Sequence, residues 1–167
     1  MIRPQDVERA ASRKTNENVR FRSFLKMNAD PGELDKQFEE LHMELFADYD
    51  CASCRNCCRK LGCYIDRREV KAMAEAHNMT SNEFKGKYLE ENQGGSGSYT
   101  SKTVPCVFLL EDGACMLGEN KPADCKDYPY TLRPDRISSL LSIMDNASVC
   151  PVVYEMIERL KKIYGFR

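Results

Sequence analysis

Four thiols fall within the run Cys51-Ala-Ser-Cys54-Arg-Asn-Cys57-Cys58, and the chemistry open to such a run is metal binding. Two C-x-x-C steps share Cys54. Each step brings two sulfurs within reach of one ion, because a tight turn between them points backbone N–H groups at the thiolates. Cys58 adjoins Cys57, and neighbouring side chains diverge, so these two sulfurs are expected to serve different metals or different corners of a cluster. The run therefore points beyond a single mononuclear site.

The rest of the composition narrows the chemistry. The chain has 167 residues, with 25 basic and 26 acidic side chains and a formal charge of -1. That balance argues against nucleic acid or an anionic membrane surface as a partner, since either normally demands a basic excess. The first residues, MIRPQDVERAASRK, contain no apolar run suited to a signal peptide, and no stretch is apolar enough to span a bilayer. A cytoplasmic protein is expected. In a reducing cytosol the nine cysteines are better read as thiolate ligands than as a disulfide framework, which an odd number could not complete. The two histidines, His42 and His77, stand outside ligand-like spacing, and His42 reads as a helix-boundary residue. All-sulfur ligation favours zinc or iron–sulfur chemistry over magnesium or calcium.

Several elements must position these thiols. Residues 1–30 read as a charged, partly ordered arm leading into a helix, with Phe21, Phe24 and Leu25 at helical spacing and able to dock. Asp30, Pro31 and Glu33 open a helix whose stripe is Leu34, Phe38, Leu41, Leu45 and Phe46, and it leads almost directly into Cys51. Asp66 with Glu69 and Thr80 with Glu83 each form a capping box, and Phe84, Tyr88 and Leu89 should turn inward from the second of these helices. Asn92 to Ser101 reads as a loop, either a surface connection or a cover over a site. The apolar runs Val104 to Leu110 and Ala114 to Leu117, around Glu111-Asp112-Gly113, predict a β-hairpin carrying Cys106 and Cys115. Lys121 to Pro129, with Cys125, predicts a short helical turn, and residues 137–144 suit a strand or a helix equally. A last helix starts at Pro151, which puts Cys150 at its N-terminus, where partial positive charge favours thiolate and suits a ligand.

The order C-x-x-C-x-x-C-C, Pro-Cys106-Val-Phe-Leu, Gly-Ala-Cys115, Lys-Pro-Ala-Asp-Cys125-Lys-Asp-Tyr-Pro and Cys150 resembles the YkgJ-like cysteine-cluster family of zinc- or iron-chelating proteins, also described as containing an iron–sulfur cluster. The resemblance covers roughly residues 51–150. It implies eight metal-binding cysteines: Cys51, Cys54, Cys57, Cys58, Cys106, Cys115, Cys125 and Cys150. Cys63 is left over and reads as a small buried hydrophobe. Where the family has arginine before and after its seventh cysteine, this chain has Lys121 and Lys126, which keep the charge and lose the planar fork.

Together these readings predict a small α+β, mostly helical single domain with a short β-hairpin, organised around an all-cysteine metal site. Its metal-binding domain would run over 31–167. Basic residues near the ligands, Arg55, Arg59, Lys60, Arg67, Arg68 and Lys126, would balance an anionic cluster. The function implied is chelation of zinc or an iron–sulfur cluster. Two alternatives share the site: an iron–sulfur oxidoreductase or cluster-assisted transferase, for which no catalytic constellation is readable, and a zinc-dependent module binding protein or nucleic acid.

Overall fold

The computed structural model describes residues 1–92 and 97–167. In chain order the elements are α1 (Val7–Arg13), α2 (Thr15–Asn28), α3 (Pro31–Phe46), α4 (Cys51–Cys54), α5 (Asn56–Lys60), β1 (Tyr64–Asp66), α6 (Arg67–Ala76) and α7 (Ser81–Tyr88). They continue with β2 (Leu89–Glu91), β3 (Ser98–Ser101), α8 (Ala123–Asp127), α9 (Arg136–Asn146) and α10 (Pro151–Ile163). The chain is 61% helix with one small three-stranded antiparallel sheet, so the mostly helical α+β expectation holds. It divides into two compact units, Met1–Cys54 with Pro129–Arg167, and Arg55–Tyr128. The boundary falls inside the cysteine run, at Arg55, whose backbone is left-handed.

The first unit is helical. In α3, Asp30 accepts the Glu33 N–H at 2.9 Å, and Leu34, Phe38, Leu41 and Leu45 are buried as their spacing requires. The buried face of α10 is Val152, Val153, Met156, Ile157 and Leu160, and it packs on α3 and α9. Residues 137–144 are helical, within α9. The charged N-terminal stretch is more ordered than an arm: it forms α1 and α2, with Phe21 and Leu25 fully buried. Phe21 and Phe24 meet Phe166 with centroids 5.0 and 5.4 Å apart, which ties α2 to the C-terminal end of the chain. His42 is a boundary residue, as expected, with Nδ1 2.7 Å from Thr131 Oγ1 and its ring on Phe46.

Two charged side chains of this unit are buried, Arg136 and Lys161. Lys161 is 4% exposed and donates to Glu17 at 2.6 Å and Glu158 at 2.8 Å, while Lys14 also donates to Glu158. Burial works to raise the Glu158 carboxyl, but the two lysines outweigh it and hold the group below its ordinary 4.5.

In the second unit β3 is the central strand, with β1 and β2 antiparallel on either side. Both expected capping boxes form, at Asp66 with Glu69 and at Thr80 with Glu83. The core gathers Ile65, Val70, Met73, Phe84, Leu89, Phe108 and Leu117, and the Phe84 and Phe108 rings stack 5.9 Å apart. Two expectations need correction. Of the loop predicted over Asn92 to Ser101, residues 93–96 lie outside the described residues, and Ser98–Ser101 is strand β3. Its end residues Ser98 and Ser101 are buried and Tyr99 and Thr100 half-buried, so no apolar alternation marks it, and the glycine-rich flank obscured it further. The hairpin predicted over 104–117 shrinks to one bridge, Leu109 to Cys115. Pro105 has no N–H to give, Cys106 N–H bonds Cys58 O at 2.8 Å, and Leu109 N–H turns back to Cys106 O at 2.9 Å. One donor of the would-be ladder thus goes to a distant segment and another to a turn, and cross-strand bonding is confined to the neighbourhood of the bridge, Leu110 N–H to Ala114 O at 2.9 Å and Met116 N–H to Phe108 O at 2.8 Å. The Glu111-Asp112-Gly113 turn itself is present, with Gly113 at φ +84°, and the sheet's hairpin lies at β2 and β3 instead.

Replacing Glu158 with Gln should destabilise the fold by about 1–2 kcal/mol in urea denaturation at neutral pH, because Lys161 keeps Glu17 but loses one anionic partner. The carboxyl's folded value lies below 4.5, so its contribution is present above that pH and is lost as pH falls through the folded value. The stability gap between the variant and the unaltered chain should therefore close on acidification.

Candidate metal centre

In the first unit Asp50 caps α4, its carboxylate accepting the Ala52 and Ser53 N–H groups at 2.9 and 3.1 Å. One helical turn then sets Cys51 and Cys54 three residues apart on one face. Cys150 precedes α10 and is 8% exposed. Burial pushes its thiol up to about 11, against the amides of Val152 and Val153, which favour thiolate; Cys51 and Cys54 lie close enough to add to the rise. The helix N-terminus therefore acts as anticipated, but no cap hydrogen bond to the thiol forms and desolvation wins in the metal-free chain. Tyr49, which carried no signal in the sequence beyond its place two residues before Cys51, joins this group. Its hydroxyl is buried without a hydrogen-bond partner of good geometry. Burial and then the neighbouring Cys54, Cys150 and Cys51 sulfurs all raise its pKa.

In the second unit the sulfurs of Cys57 and Cys58 are 4.0 Å apart, which corrects the expectation that they diverge. Both residues sit on α5, which the chain enters through the left-handed Arg55. The Cys57 thiol holds Cys58 down to about 6, against burial, with Arg55 and Lys121 adding their positive charge. Arg55 was among the cations anticipated around the ligands; Lys121 was noticed only as a substitute for arginine. Arg68, also anticipated there, instead pairs with Asp66 at 2.9 Å.

A second thiol group in this unit comprises Cys63, Cys106 and Cys125. The neighbouring Cys106 thiol lowers the Cys63 thiol, but Cys125 and burial carry it up to about 12. Cys63 and burial raise Cys106 in turn. Cys115 stands outside these groups, half-buried against the core on the bridge to Leu109.

The donor set can be tested against a metal. Two sulfurs bound tetrahedrally to one zinc at about 2.3 Å are separated by about 3.8 Å, close to the 4.0 Å between Cys57 and Cys58. The Arg55 and Lys121 charges would offset bound thiolates, and the unpartnered Tyr49 hydroxyl can donate to a sulfur or to a ligand in the first unit. These residues fit a thiophilic cation. Among the described residues no group of three or more His, Cys, Asp or Glu side chains is already arranged to hold an ion, so binding requires thiol rotamers to turn inward as protons leave.

Alkylation of Cys58 in reduced, metal-stripped protein, followed by peptide mass spectrometry, should titrate with a midpoint at about pH 6. Replacing Arg55 or Lys121 with Gln should move that midpoint upward. Because the folded value lies below the ordinary 9.0, the thiolate's contribution to stability is complete above pH 9 and disappears as pH falls through about 6.

No curated protein and no solved structure shows significant similarity to the chain. The family model for CxxCxxCC proteins, described as "Putative zinc- or iron-chelating domain", matches residues 50–151. That span contains all nine cysteines and most of the chain, and with the thiol groups just described it identifies this protein as a member of the CxxCxxCC family.

Proposed function

We propose that the protein binds zinc or an iron–sulfur cluster through cysteine thiolates. Cys51, Cys54 and Cys150 would serve in the first unit, and Cys57, Cys58, Cys106, Cys115 and Cys125 in the second. The observation that carries this reading is the Cys57–Cys58 pair. Two thiols 4.0 Å apart, one of them favoured as thiolate under two cationic side chains, make a poor apolar core and a good start to a metal site. When bound, the metal would cross-link chain segments that share few backbone hydrogen bonds. Each ligand thiol gives its proton to water as its sulfur binds, so affinity should rise with pH. Such thiols persist in a reducing compartment, and the cytoplasm is the location we propose.

Metal analysis and an ultraviolet–visible spectrum on protein purified without oxygen test the reading. Stoichiometric zinc in colourless protein would support a structural or binding role. Iron with acid-labile sulfide and a brown colour would support electron transfer or cluster-assisted chemistry, and neither metal would refute the proposal. Replacing Cys57 and Cys58 together with Ser should lower bound metal by at least one ion per two chains. Stripping the metal should speed amide exchange first over residues 102–122, where turns and one bridge replace regular pairing, while the buried faces of α3, α9 and α10 keep their protection.

A further inference from the structure

Cys63 falls outside the eight cysteines that the motif assigns, and its burial alone, at 5% exposed, would suit a core residue. Its surroundings suit something else. The Cys106 and Cys125 thiols and the Ser101 hydroxyl all lie near enough to act on the Cys63 proton, and Cys106, which packs against the same core cluster, feels Cys63 and Ser101 in turn. A cysteine kept only for its apolar volume would be expected among carbon atoms, not at the meeting point of two other thiols and a buried hydroxyl.

The backbone independently builds the same convergence. Cys63 is pinned to β3 on both sides of its peptide unit: Ser101 Oγ accepts its N–H at 3.1 Å and its carbonyl accepts the Ser101 N–H at 3.1 Å. Gly62 makes room for this, since a Cβ there would stand 2.9 Å from Ser101 Oγ. The next residue, Tyr64, donates its N–H to Asp124 at 3.3 Å, and Asp124 immediately precedes Cys125. Ala123 in turn donates to Glu69 at 2.7 Å, which anchors the start of α8. Cys106 is held by its N–H to Cys58 O at 2.8 Å. Hydrogen bonds thus tie Cys63 to β3 and its neighbour Tyr64 to the residue before Cys125, while Cys106 is tied back to Cys58, five residues before Cys63.

We propose that Cys63 is a further metal-binding thiol of the second unit, joining Cys106 and Cys125 around one thiophilic ion, with Ser101 orienting it. The proposal rests on the reading of the protein as a metal binder and adds a ninth sulfur to it. Binding would release the thiol proton to water as the Cys63 sulfur enters the metal's coordination shell, with no change in oxidation state.

The test uses the whole chain, reduced, stripped and loaded either with cobalt(II) or with a spin-active cadmium isotope. Cobalt binding to Cys63→Ala and to Cys63→Val, which refills the apolar volume, should be weaker by at least about tenfold and show reduced sulfur-to-cobalt charge-transfer absorption. A core role predicts rescue by Val; a ligand role does not. In the unaltered chain, where folding of a variant is not at issue, cadmium should show scalar coupling to the β-protons of Cys63 as well as to those of Cys106 and Cys125. Coupling to Cys106 and Cys125 without Cys63, or full cobalt affinity and absorption in the Val variant, would overturn the proposal and leave the metal-binding reading intact. Absence of cobalt and cadmium binding altogether would refute both.

Discussion

The pairing of Ser101 with Cys63, one hydrogen bond on each side of the peptide unit, is the tie on which the second unit depends. The sheet has strands of three, three and four residues, each too short to persist alone. β3 supplies every ladder bond, because β1 and β2 pair only with it. Ser101 extends that pairing one residue beyond β1, and the extension sets Cys63 and, through Tyr64 and Asp124, the start of α8. Without it the segment carrying Cys106 and Cys125 would have little regular structure to hold it.

The first unit rests on a different force. Its helices bury large apolar faces, among them Phe38, Leu140, Met156 and Leu160, and removal of those faces from water is the dominant favourable term. The thiols there sit at helix ends, Cys51 and Cys54 on α4, whose Ala52 and Ser53 N–H groups Asp50 accepts, and Cys150 before α10, where the Val152 and Val153 amides favour its thiolate. Such a unit has a core that does not need metal. In the second unit Cys57, Cys58 and Cys125 sit on the short helices α5 and α8 and the other thiols in connections, and the core of Phe84, Phe108 and Ile65 is smaller. Metal would contribute proportionally more where chain entropy is least compensated by burial.

Burial and charge also divide the cysteines by state. Cys63 and Cys150 are buried deeply enough that their neutral forms prevail without metal, whereas Cys58 faces Arg55 and Lys121 and leans to thiolate. A bound cation would invert the preference of the buried thiols, because its charge far exceeds the desolvation that keeps them protonated. Cys58 is thus the thiol most ready to meet a cation without first losing a proton.

The sequence by itself determined the metal chemistry, the family pattern, the capped helices at Asp30, Asp66 and Thr80, and the inward faces of α3 and α10. These depend on residue type and on spacing over a few positions, which are local quantities. It also placed the turn at Gly113, since a φ of +84° is one that glycine adopts without strain. Only tertiary structure decided that Ser98–Ser101 is the central strand, because small polar residues beside a glycine run carry no strand signal until both neighbours supply partners. The same holds for the hairpin over 104–117, where two apolar runs around a turn promised a ladder but the N–H of Cys106 went to Cys58, far back in the chain. Cys63 shows the limit most directly. Nothing within a few residues marks it as more than a buried hydrophobe, and its neighbours Ser101, Cys106 and Cys125 are brought to it by hydrogen bonds between segments about 40 to 60 residues apart, a separation that spacing rules cannot see.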